Sequence, residues 1–185
     1  MLTLITPCCR QHLLSDVEKS IQFDKINKWI IVYDTTNTTY EKIYNTQNEK
    51  VIETEATGGG GWGNAQKNKG LSLVEDGYVF FLDDDNIMHP NFWKMYESID
   101  DKYFYTFNAM RSVKQNVIMY GNKVLPNFID AAMYLVHKKH FRDIRLREEK
   151  FSADGWFIFD VYNENPGLHK YINDVCCHYN YLQYT

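Results

Sequence analysis

Apolar runs separated by polar, glycine-rich or charged stretches divide the chain into alternating strand-like and helix-like segments. Residues 2–6 read as a short strand that Pro7 should stop, and residues 11–23 follow with Leu13, Leu14, Val17 and Ile21 at helical spacing. Trp29-Ile30-Ile31-Val32-Tyr33 is the next strand and ends on Asp34. Residues 35–39 read as a loop, 40–46 as a short helix and 50–53 as another strand. A helix over 65–75 leads to Tyr78-Val79-Phe80-Phe81-Leu82, five apolar residues between Gly77 and a set of acids, which reads as a strand buried on both faces. Strands alternating with helices predict an α/β fold built on a mixed, mainly parallel sheet flanked by helices.

Farther along, residues 90–97 form a helix with proline in its first turn, and 103–108 and 112–120 are β-rich segments close enough to pair antiparallel. After a turn-rich connection at 121–127, residues 128–136 read as a buried strand containing one acid, Asp130. Residues 137–149 mix both signs of charge, as a solvated helix and loop do. Ser152 is placed to cap a helix with Asp154 in its first turn, ended by Pro166-Gly167, and residues 168–184 supply a final strand and tail.

Composition narrows the class. At 185 residues the chain suits one α/β core, and 44% hydrophobic with 16% aromatic residues excludes disorder. A net charge of −4 and a pI near 5.8 argue against a nucleic-acid partner. Cys8-Cys9 and Cys176-Cys177 lack metal-site spacing and read as reduced core cysteines, which points to the cytoplasm. Residues 1–6 have no basic flank and are too short for a signal segment, and no apolar run reaches membrane-spanning length.

The chemistry concentrates after the fourth strand. Asp83, Asp84 and Asp85 sit where open α/β sheets bind ligands, and three adjacent carboxylates need a cation or a network of donors to offset their repulsion. A hard divalent ion that also holds a phosphate is the economical expectation. Asp34 shares that rim, because parallel strands point the same way. The stretch from Gly58 to Ala65 has P-loop spacing, but Asn64 and Ala65 replace the lysine and hydroxyl that such a loop needs. A loop closing over ligand is expected instead, with Trp62 as its apolar tip and Asn64, Lys67 and Asn68 facing the site. Asp130, an acid among apolar neighbours, must be paired or face a cleft. Asp154, at a helix N-terminus, is stabilised ionised and suits a general base.

The order of Leu4-Ile5-Thr6-Pro7, Trp29-Ile30-Ile31-Val32-Tyr33-Asp34, Asn64-Ala65-Gln66-Lys67-Asn68-Lys69-Gly70-Leu71 and Val79-Phe80-Phe81-Leu82-Asp83-Asp84-Asp85-Asn86 resembles the GT-A fold nucleotide-sugar glycosyltransferases, in particular glucuronyltransferase-like members and small virus-encoded sugar transferases. The resemblance implies a single Rossmann-like GT-A domain, with residues 1–86 as the nucleotide-binding half and 87–185 as the acceptor side. It implies base and ribose contacts for Thr6, Pro7 and Asp34, ribose or nucleotide contacts for Asp83 and Asp84, and manganese (or magnesium) on Asp85. It also implies Asp154 as the base, Asp130 as a contact of the donor sugar or acceptor, and His178 as a partner of the metal or diphosphate. Lys67 stands where such members carry an arginine, and a point charge without the bidentate fork replaces it.

The expected reaction is metal-assisted, inverting transfer of a sugar from a nucleoside-diphosphate sugar, UDP-sugar favoured, to a glycan or other hydroxyl acceptor. Three alternatives are a haloacid-dehalogenase-like phosphatase with Asp83 as nucleophile, a sugar nucleotidyltransferase, and a non-catalytic sugar-nucleotide or glycan-binding module.

Overall fold

The computed structural model of the chain describes residues 1–36, 41–58, 62–112 and 117–183. β1 (Leu2–Cys8) is buried at every position, as is the central part of β2 (Lys28–Asp34). With β3 (Val51–Ala56) and β4 (Tyr78–Phe81) they form a parallel array in the order β3-β2-β1-β4. The apolar composition of β1, β2 and β4 fits a sheet covered on both faces, β3 is the half-exposed edge strand, and parallel direction brings all four C-terminal ends to one rim. Pro7 does not stop β1, which continues through Cys8 beside Tyr33 of β2.

The sheet continues through β5 (Ile87–Met88), β6 (Phe104–Ser112), β7 (Val117–Met119), β8 (Tyr134–His137) and β9 (His169–His178). β8 runs antiparallel to β4 and to β6, β9 runs parallel to β6, and β5 closes the order on β9. β7 pairs antiparallel with β6, Ala109 facing Met119, as the two β-rich segments predict. The helices are α1 (Leu14–Lys19), α2 (Asn64–Ser72), α3 (Pro90–Tyr96), α4 (Lys138–Phe141) and α5 (Ala153–Glu164).

Other local expectations are corrected as well. Residues 11–23 do not form one helix: a 3-10 turn at Gln11–Leu13 precedes α1, and another follows at Phe23–Lys25. The helix expected over 40–46 is absent over its described residues, 41–46, because Gln11 intercepts the backbone: its side-chain oxygen accepts from Ile43 and Tyr44 N–H, and its amide donates to the Glu41 carbonyl. The buried segment at 128–136 is strand only from Tyr134, being preceded by a 3-10 turn at Ala131–Met133 that Asp130 caps by accepting from Ala132 N–H at 3.0 Å. Ser152 precedes α5 without a side-chain capping bond. All four cysteines are free, but Cys9 is exposed rather than in the core. Residues 59–61, on which the closing loop was expected, and 37–40 lie outside the described residues.

Candidate active site

The acid triplet follows β4 at the rim, and the protein itself supplies much of its counter-charge. Asp84 Oδ2 accepts from the backbone N–H of Cys9 and of Arg10, each at 2.7 Å. Its Oδ1 accepts from Arg10 Nε at 2.9 Å and from Arg10 Nη2, so the loop after β1 is stitched to the end of β4. Arg10 Nη1 lies 2.9 Å from Asp85 Oδ2, which also accepts from the Gln183 amide. Burial raises the pKa of Asp85, and Arg10 opposes the rise.

Asp83 points to a different cation. Lys67, on the first turn of α2, is buried, and its ammonium donates to both oxygens of Asp154 at 3.1 and 3.2 Å and lies 3.4 Å from Asp83 Oδ1. Desolvation would lower its pKa, but Asp154, then Asp83 and Asp130, outweigh that and hold it charged. Burial raises Asp83, with Lys67 opposing and the neighbouring Asp154 and Asp130 adding to it. Asp130 is likewise raised by burial and by Asp154, against Lys67, the Ala132 N–H and a hydrogen bond from Tyr179. Three acids therefore share one ammonium.

α2 is positioned for this by a close approach at its start. Gly63 has φ +73°, and a Cβ there would come within 2.8 Å of Pro7 Cβ, so the helix begins against the end of β1. Its buried side chains are largely polar, and apart from Gln66 Oε1 their polar atoms find partners. The Asn64 amide donates to the carbonyls of Glu148 and Lys150, and Asn68 exchanges hydrogen bonds with Leu146, clamping the segment that leads into α5. That segment delivers Asp154 to Lys67.

In front of the triplet lies a cavity of about 300 Å³, lined by Pro7, Arg10, Asp34, Trp62, Gln66, Asp83, Asp84, Asp85, Tyr179 and Gln183 among others. Asp34 accepts from Thr36 N–H at 2.9 Å, and Trp62 meets the exposed Phe151 edge-on at 5.9 Å between ring centroids. Asp154 and Asp130 stand behind Asp83 through Lys67. Four residues expected at the site are placed elsewhere, Asn68 among them because it is held in the clamp with Leu146. Thr6 is locked inside the sheet between the Leu82 carbonyl and Trp29 Nε1, and Asn64 is spent on the clamp. His178 lies beside His89 and Tyr181 and lines a neighbouring groove with Trp93, so it is not brought to Asp85. Arg10, Gln66, Tyr179 and Gln183 line the cavity without being among the expected site residues. Arg10 carried a signal, as a basic residue just past a strand whose end faces an acid cluster. Tyr179 and Gln183 carried none, because only the return of β9 to the rim brings them there.

Among the described residues, no group of three or more His, Cys, Asp or Glu side chains is arranged to hold a metal alone. The donor chemistry nevertheless fits a hard cation shared with a ligand. The cavity carries four carboxylates against Arg10, and Asp83 Oδ1 is buried without a hydrogen bond, so a diphosphate would enter an acid-rich site. Asp85 would hold such an ion, exchanging its contacts with Arg10 and Gln183.

Solved structures share this frame. The crystal structure of S. aureus TarS 1-349 superposes with a TM-score of 0.70 over 96% of this chain. The fold is that of TarS. Identity is 15%, and the chain spans 60% of the TarS fragment. The same fragment in complex with UDP and in complex with UDP-GlcNAc gives TM-scores of 0.69 each, at 15% and 14% identity, over 96% of this chain and 59% and 57% of those chains. The mixed α/β architecture, a curled and mostly parallel sheet flanked by helices, is thus shared with TarS. No family model matches the sequence, and no curated protein matches it. No helix among the described residues is long and apolar enough to cross a membrane.

Proposed function

We propose that this chain is the catalytic domain of a glycosyltransferase that uses a nucleoside-diphosphate sugar, with UDP as the favoured nucleotide, and passes the sugar to a hydroxyl of a glycan or other acceptor. The observation that carries this reading is the Lys67 ammonium, which joins the acid at the cavity wall, Asp83, to the acid at the start of α5, Asp154. A cavity able to take a nucleotide and a carboxylate able to take a proton are thereby held side by side. The likeness to TarS, crystallised with UDP and with UDP-GlcNAc, supports the choice of donor.

In the reaction, Asp154 accepts the proton of the acceptor hydroxyl as that oxygen bonds to the anomeric carbon. The bond from the anomeric carbon to the diphosphate oxygen breaks on the opposite face, giving inversion and free nucleoside diphosphate. A carboxylate has about four lone-pair positions, so the two bonds from Lys67 orient Asp154 without exhausting it. Arg10 contributes positive charge at the diphosphate end, and Asp34 and Pro7 flank the place for base and ribose. Mn2+ or Mg2+, held by Asp85 when bound, would offset charge developing on the leaving diphosphate.

Calorimetry with UDP, with and without Mn2+, tests donor recognition, and Asp154→Asn tests the base. The variant should bind UDP within about twofold of wild type and lose at least about a hundredfold in transfer or slow donor hydrolysis. Full turnover in that variant would remove Asp154 from its role, and donor binding by wild type without any hydrolysis would favour a binding module.

A further inference from the structure

The cluster behind the cavity bears on which sugar the donor carries, an inference that rests on the nucleotide-sugar reading. Asp83, Asp130 and Asp154 converge on Lys67, whose ammonium is already committed to Asp154 and Asp83. Arg10, the sole cationic side chain lining the cavity among the described residues, is held by Asp84 at the opposite, diphosphate end, where an ion on Asp85 would also sit. No uncommitted cation thus faces this end among the described residues. A second observation shows that the cluster is incomplete as it stands. The Tyr134 hydroxyl is buried without a hydrogen-bond partner on a residue 1% exposed, and Asp83, Asp130 and Asp154 all act on it electrostatically. Asp83 Oδ1, also buried, has only the 3.4 Å contact with Lys67. Buried polar atoms left in this way await a ligand group or water.

We propose that the transferred sugar is a carboxylate-free sugar, whose hydroxyls complete this cluster, and not a uronic acid. Ionised carboxylates only accept hydrogen bonds, so they pair with hydroxyls that donate, while the Tyr134 hydroxyl can donate or accept. A sugar carboxylate offers acceptors to acceptors and adds negative charge where the Lys67 ammonium is already shared by three acids. That juxtaposition discriminates by repulsion as well as by lost pairing. The implication separates this chain from the glucuronyltransferase-like members its motifs resemble.

The test is calorimetric affinity of the wild-type chain, with Mn2+ present, for UDP, UDP-glucose and UDP-glucuronic acid. UDP-glucuronic acid should bind at least tenfold more weakly than UDP-glucose. Asp130→Asn, which removes one charge while keeping an acceptor for Ala132 N–H, should shrink that gap several-fold. Equal or tighter binding of UDP-glucuronic acid overturns the inference and leaves nucleotide recognition intact. A gap unchanged in the folded Asn variant, verified by circular dichroism, overturns the electrostatic cause assigned to it. Absence of UDP binding itself sinks the nucleotide-sugar reading and this inference together.

Discussion

Arg10 anchors the acid triplet to the rest of the rim. Asp84 and Asp85 are 1% and 2% exposed, and an unpaired carboxylate at that burial is costly. Removing one partner of a buried ion pair is more damaging than the pair is stabilising, because the other charge stays behind. Arg10→Ala should therefore destabilise the fold by on the order of 2 kcal/mol, read from urea unfolding. The figure stays modest because the Arg10 side chain is 33% exposed and because Asp84 keeps two backbone donors. Arg10→Lys should recover only part of the loss, since one ammonium cannot reproduce three directed N–H groups. A loss under about 0.5 kcal/mol for the alanine variant would mean that backbone and water satisfy the triplet unaided.

At the scale of elements, the start of α5 shows what could be read in advance and what could not. An acid followed by Trp156, Phe157 and Phe159 announced a helix with Asp154 in its first turn, and β1, β2 and β4 were legible as apolar runs ending on one rim. Gly155 gave no such notice. A Cβ there would lie 1.9 Å from the Pro126 carbonyl oxygen, so the turn-rich connection before Asp130 packs directly on the helix backbone. Contacts of that kind are set by two segments far apart in sequence. The same cause explains the absent helix near residue 43, where Gln11 claims the backbone N–H groups. Gly155→Ala forces backbone against backbone and should cost about 2–4 kcal/mol in urea unfolding. It should also weaken turnover, because Asp154 is the adjacent residue. A neutral change in stability would show that the connection gives way freely.

Across the whole molecule, a formal charge of −4 understates how unevenly charge is spread: Asp34, Asp83, Asp84, Asp85, Asp130 and Asp154 converge near one rim. Crowding and burial lift Asp130 to a pKa of about 6, with burial first, Asp154 second and Lys67 opposing. Between the unfolded carboxylate value of about 4 and that value the folded chain holds more protons than the unfolded one, so this group's contribution to stability falls as pH rises through the window. Its cost is complete near pH 7, about a unit above that value, and is on the order of 3 kcal/mol. Histidines act in the opposite sense, since burial lowers His89, His137, His140, His169 and His178 and favours the neutral fold as pH rises. A single melting curve would mix the two effects, whereas a difference between two proteins cancels the histidines. Asp130→Asn cannot ionise but still accepts from Ala132 N–H. Its melting temperature relative to wild type should therefore rise by a few degrees between pH 4.5 and pH 8, with most of the change complete by about pH 7. A difference that stays flat across that range would mean Asp130 ionises in the fold as it does in the open chain, with Lys67 meeting the full cost of its burial.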